Sequence, residues 1–204
     1  MKERKLTEKE LLRKEKFDLL CEKMAAEGYK KTDLTVGVVA ANLLAAVIMA
    51  PFAAAGLILF FTAAPEADFI ISMWELLALL PLFVVLAAVH ELIHGATWGF
   101  FAGRSAIDFG IIWSMLTPYC TCSKPLTRRQ YILGGLMPTL LLGSGLLAAA
   151  CASKSLFWLF EAELMIFGGG GDFLIVLKML LHKSGKAALY YDHPYECGVV
   201  VFEK

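Results

Sequence analysis

The stretch Pro81-Leu-Phe-Val-Val-Leu-Ala-Ala-Val-His90-Glu91-Leu92-Ile93-His94-Gly95 decides the reading of this chain. It sits inside a longer apolar run from about Phe69 to Ala102. That run exceeds the roughly 20 residues an α-helix needs to cross a bilayer. On a helix, positions i and i+4 share one face, a turn apart. His90 and His94 have that spacing, and Glu91 stands beside the first of them. An ionised side chain at the centre of such a helix costs about 2.5–3.5 kcal/mol on insertion scales, so its presence points to function.

Three more apolar segments flank this one. They run from about Leu34 to Ala64, from Gln130 to Ala152 and from Leu156 to Leu181. Hydrophobic residues make up 58% of the 204, against roughly 45–50% in an average soluble domain. Long apolar runs and this composition exclude a soluble globule, a disordered chain and a repeat solenoid. Lys+Arg and Asp+Glu are both 19, so the net charge is zero. Nucleic acid is excluded as the main partner, because phosphate binding calls for a basic excess. The expected fold is an all-α, multi-pass integral membrane protein with four transmembrane helices.

Lys and Arg in the flanks set the expected orientation. Ten precede the first span, none lies in 64–68, four lie in 103–129, one in 152–156 and four near the C-terminus. Both termini and the middle loop are therefore expected on the cytoplasmic side. The charged opening Met1-Lys-Glu-Arg-Lys and the length of the first apolar run do not read as a secretory signal peptide. The five cysteines are scattered and suggest no disulfide framework. Cys120-Thr-Cys122 is not a CxxC pair and is a weak metal candidate.

Three parts follow along the chain. Residues 1–33 are polar and charged, with a capping-box pattern at Thr7 and Glu10, then Phe17, Leu20, Cys21 and Met24 on one helical face and Gly28 as a stop. An amphipathic cytoplasmic helix is expected there, lying on the membrane, against the protein or simply solvated. Residues 34–181 form the four-span core, with spans at about 34–64, 69–102, 130–152 and 156–181. Residues 182–204 form a cytoplasmic tail. Period-two alternation at Ile107, Phe109, Ile111, Trp113 and Met115 predicts a strand or hairpin, and Gly198–Phe202 a second strand able to pair with it.

The chemistry centres on His90-Glu-Leu-Ile-His94. Two imidazoles one turn apart grip a zinc ion at about 2.0–2.1 Å each, and catalytic zinc needs a third protein ligand plus an open position. Glu91 is placed to take a proton from water and pass it to a leaving amine. A helix-packing polar cluster is the competing reading. The third ligand should come from another span at similar depth. Asp172 follows Gly168–Gly171, nine residues before Leu181, while His94 and His90 lie eight and twelve before Ala102. At 1.5 Å per residue these depths agree, at roughly 12–18 Å from one face. The glycines read as close helix packing or as a loosening that turns Asp172 inward. Glu75, Glu161 and Glu163 lie near the outer ends, too shallow for the metal. Asn42 reads as an interhelical hydrogen-bonder, Lys178 as a snorkelling side chain, and His182 and His193 as solvent-facing.

On these residues the chain resembles the site-2-type intramembrane zinc metalloproteases. It resembles more closely the zincin peptidase family of bacterial membrane proteins, first described as a domain of unknown function. Gly28-Tyr29, His90–Gly95, Lys124–Thr127, Pro138, Gly171-Asp172, Asp192-His-Pro194 and Gly198 carry the likeness, across about residues 28–204. It implies one zinc per chain on His90, His94 and Asp172, with Glu91 as general base and acid. It implies hydrolysis of peptide bonds in membrane or juxtamembrane proteins, in the bacterial cytoplasmic membrane. The chain departs from the site-2 pattern twice: Phe173 follows Asp172 where Gly is usual, and Thr139-Leu140 follows Pro138 where Asn is common. An extended substrate is expected to add to the 107–115 edge as an extra strand. A non-catalytic metal-binding scaffold is the alternative.

Overall fold

The computed structural model describes residues 7–67, 70–112, 117–185 and 187–204. Four helical segments are long and apolar enough to cross a membrane: Val38–Ala63, Met73–Ala102, Arg128–Ser153 and Leu156–Leu181. In chain order the elements begin with α1 (Glu8–Ala26), β1 (Lys30–Val36), α2 (Val38–Ala63) and α3 (Met73–Ala102). A hairpin of β2 (Ile107–Ile112) and β3 (Thr117–Cys122) follows, then β4 (Leu126–Thr127). The third span is α4 (Arg128–Pro138), a π-helical turn over Thr139–Gly143, and α5 (Ser144–Ser153). The fourth is α6 (Leu156–Gly168) and α7 (Gly170–Leu181), and β5 (Leu189–Asp192) and β6 (Cys197–Glu203) close the chain.

Helix ends follow local chemistry. Thr7 and Glu10 form the expected capping box at α1, and Ser72 and Glu75 form another at α3. A third box, Thr127 with Gln130, starts the third span two residues earlier than the apolar pattern alone suggests. The first span starts at Val38, not Leu34, because Leu34–Val36 belong to β1 and pair with Cys197–Val199 of β6.

The runs at 107–112 and 197–203 do not pair with each other. Strand β2 pairs with its sequence neighbour β3, and β6 lies between β1 and β5 in a four-stranded antiparallel sheet ordered β1-β6-β5-β4. A short hairpin closes a small loop, and that local pairing outcompetes a distant partner. Trp113 and Met115 lie outside the described residues. Helix α1 lies against the protein: Phe17 and Met24 bury on Tyr191, Val200 and Phe202 of the sheet.

Packing within the spans is uneven. In α2 a single stripe, Ala41, Ala45, Met49, Ala53, Gly56 and Phe60, is buried, at spacings of four with one step of three. The rest faces outward, as lipid contact requires. In α3 the buried residues are His90, His94, Gly95, Trp98 and Gly99, all in the second half. Asn42 is exposed on α2, and no interhelical hydrogen bond of its side chain is found among the described residues.

Candidate metal centre

The second half of α3 brings His90 and His94 to one face, with rings 4.8 Å apart and both side chains buried. Asp172 enters from the first turn of α7. Its Oδ2 lies 3.2 Å from His90 Nε2 and 3.4 Å from His94 Nε2. The three candidate ligand atoms all lie within 4.8 Å of one another. Ligand atoms on a tetrahedral zinc at about 2.0–2.1 Å stand about 3.3 Å apart, so the two measured separations fit that geometry.

The glycine run explains how Asp172 arrives. The fourth span breaks at Gly169, which ends α6 and begins α7. A Cβ on Gly169 would overlap the Thr139 side chain, and one on Gly170 would lie 2.9 Å from the Ala45 Cβ and 3.0 Å from the Met49 Cγ. Close packing and a helix break therefore operate together, while Gly171 has open space around its missing Cβ. Thr139 belongs to the π-helical turn after Pro138, so the third span deforms where the fourth comes nearest.

A second layer orients the candidate ligands. His94 Nδ1–H donates to the Gly134 carbonyl at 2.8 Å, which leaves its Nε2 lone pair directed at Asp172. Trp98 stacks on His94, with centroids 4.8 Å apart and rings 14° from parallel, and its indole N–H donates to the Tyr131 carbonyl. A Cβ at position 134 would run into the Trp98 indole, so glycine is needed for this approach. Glu91 accepts a hydrogen bond from the backbone N–H of Cys120 on β3, and it lies within electrostatic reach of His90, His94 and Asp172.

A cavity of about 210 Å³ adjoins the cluster. Trp98, Tyr131 and Asp172 line it from the spans, Tyr119 and Cys120 from β3, and Asp192, His193, Glu196, Cys197 and Gly198 from the tail. His193 is thus not simply solvent-facing: it packs against Phe17 and Tyr195, and burial pushes its imidazole below the usual range. His182 pairs with Glu203 at 3.2 Å. Lys178 donates to the Thr35 carbonyl at 2.7 Å, tying α7 to β1. Glu75 is used in its cap, and neither Glu161 nor Glu163 joins the cluster. Burial pushes the Cys122 thiol up to about 11 and Cys120 well above its usual range.

Sequence reading missed the Gly134 carbonyl, Trp98, Tyr131 and Asp192 as supports. Trp98 had a signal, since it follows His94 at i+4 on the same face. A carbonyl acceptor leaves none.

A family model described as "Putative zincin peptidase" matches residues 83–187, just over half of the chain. The chain belongs to that family. No curated protein and no solved structure matches it. The matched zincin peptidase region begins inside α3 and takes in the His-Glu-x-x-His stretch, the hairpin, the third span and Asp172. Membership of the zincin peptidases makes this chain one of a metallopeptidase family and implies zinc. The residues fit that ion: two imidazoles and a carboxylate converge, and one imidazole has its far nitrogen already held by a carbonyl acceptor.

Proposed function

We propose that this protein is a membrane-embedded zinc endopeptidase of the site-2 type that hydrolyses peptide bonds of membrane or juxtamembrane proteins. The observation that carries the reading is the shared carboxylate oxygen of Asp172, 3.2 and 3.4 Å from the two imidazoles. His90, His94 and Asp172 would hold one zinc per chain. Zinc supplies Lewis acidity toward a carbonyl and acidifies water.

The protein's own groups do the rest. Glu91 takes the proton from the attacking water and returns it to the leaving amine. The Cys120 N–H fixes its carboxylate against that task. An extended substrate backbone adds as a further strand to the 107–112 edge of the two-stranded hairpin sheet. The cavity between β3 and the tail gives it room. Positive charge in the tails and middle loop supports a cytoplasmic opening, and the membrane would be the bacterial cytoplasmic membrane.

The test compares wild type with Glu91→Gln, in cells and in purified full-length protein. Membrane proteins that accumulate only with Glu91→Gln are the candidate substrates. On such a substrate the variant should keep its zinc and lose about 100- to 10,000-fold in rate. Equal turnover by both would end the peptidase reading. Zinc retained with no cleavage by either protein favours a non-catalytic scaffold.

A further inference from the structure

Asp192 ends β5, and its backbone is locked in the four-stranded sheet opposite Val199. The next residue is fixed as well, since the His193 N–H donates to the Gly198 carbonyl at 3.1 Å. The two carboxylate oxygens of Asp192 point to different elements. Oδ1 accepts from the hydroxyl of Tyr131 on α4. Oδ2 accepts from the backbone N–H of Cys122 on β3 at 2.8 Å.

Each contact leads to one side of the metal cluster. Tyr131 lies one turn before Gly134, whose carbonyl holds the His94 Nδ1–H at 2.8 Å. The Tyr131 carbonyl also accepts from Trp98, which stacks on His94. On the other side, Cys122 and Cys120 are two apart on β3, so their N–H groups leave the same strand edge. The Cys120 N–H holds Glu91. One tail carboxylate therefore joins the support of a metal ligand to the support of the proton carrier.

We infer that Asp192 is a positioning residue that sets the His94 imidazole and the Glu91 carboxylate at a fixed separation through Tyr131 and β3. This inference rests on the peptidase reading of the cluster. It adds a residue beyond the matched segment, which ends at residue 187. It gives the tail sheet a role in the chemistry: β5 is the rigid post, and the carboxylate is the two-way tie. Without it, the edge of β3 and the first turns of α4 lose their only mutual tether among the hydrogen bonds that surround the cavity in the described residues. Errors of about 1 Å in such frames cost about 100-fold in rate.

The experiment uses full-length protein in detergent micelles, with Asp192→Ala, Asp192→Asn and Tyr131→Phe. Zinc affinity is read by chelator competition, and the ligand frame by the absorption spectrum of cobalt(II) in place of zinc. Hydrogen exchange at the Cys120 amide reports the Glu91 anchor. Asp192→Ala should weaken zinc about 10- to 100-fold, the range seen for outer-shell partners, with a shifted cobalt spectrum and faster Cys120 exchange. Asp192→Asn keeps an acceptor for Cys122 and should recover most of both. Tyr131→Phe cuts the tie on one side only, so it should shift the cobalt spectrum and leave Cys120 exchange unchanged. If Asp192→Ala fails to fold, Tyr131→Phe carries the test. Wild-type affinity and spectrum in Asp192→Ala, or in Tyr131→Phe, would overturn the inference while the metal site stands. A wild-type protein that binds no zinc, or binds it independently of His90, would overturn the peptidase reading as well.

Discussion

Asp172 and Glu161 lie on the same span and meet opposite surroundings. Asp172 places one oxygen between two imidazoles, 3.2 and 3.4 Å away. Glu161 is 0% exposed, and neither of its oxygens has a hydrogen-bond partner among the described residues. By burial alone Glu161 would be the stronger candidate for a site. What separates them is convergence: α7 starts at a glycine break that delivers its first-turn carboxylate to the face of α3 carrying both histidines. The helix α6 carries Glu161 into a seam of apolar packing, beside Ala162 and Met165. A buried polar group marks a site when other polar groups meet it.

The widest gap between the two carboxylates should appear in metal content. Asp172→Ala, like His90→Ala, should reduce zinc from about one per chain to near zero, because a catalytic site keeps only three protein ligands. Glu161→Gln should retain the full content. Elemental analysis of the purified proteins checks both. Equal zinc loss in Asp172→Ala and Glu161→Gln would break the comparison at its root.

The glycine break offers a sharper test with a smaller effect. Gly169→Ala forces a methyl group into the side chain of Thr139. Thr139 is branched and buried, so turning its hydroxyl aside leaves its Cβ still too close, and the two spans must separate. A loss of about 1–3 kcal/mol in unfolding free energy is expected, together with weaker zinc binding as Asp172 is displaced. Gly171→Ala meets nothing within 4 Å and should leave both unchanged. Denaturant unfolding in micelles with zinc titration separates the two variants. If Gly171→Ala were the more damaging, the break would not be what aims Asp172.

Much of this arrangement was legible along the chain. The spacing of His90 and His94 and the apolar run around them fixed the face and depth of two candidate ligands. Equal depth along the helices singled out Asp172, because rise per residue is the same in every α-helix. The capping residues Thr7 and Glu10 and the one-sided row Phe17, Leu20, Cys21 and Met24 placed α1. Sheet pairing was harder to read, since alternation shows which face of a strand is buried and not which strand lies beside it. Hence β6 was found as a strand but its partners, β1 and β5, were not. The Gly134 carbonyl and the Cys120 N–H were illegible for a deeper reason: every residue carries those groups, and only the fold selects which of them reach a side chain.

The smallest expected effect concerns Glu161 itself. If its carboxyl group has no partner, it adds desolvation cost and no bond, and removing it leaves nothing else unsatisfied. Glu161→Met keeps a similar unbranched length with an apolar tip. It should leave unfolding free energy in micelles unchanged or raise it by about 1 kcal/mol, with zinc content and cleavage rate at wild-type levels. The corresponding change at Asp172 removes a ligand and strands two imidazoles, so the same chemical edit on one span gives opposite results. A Glu161→Met protein destabilised by about 2 kcal/mol or more would show that Glu161 has a partner in the folded membrane protein, and the contrast with Asp172 would narrow to one of depth.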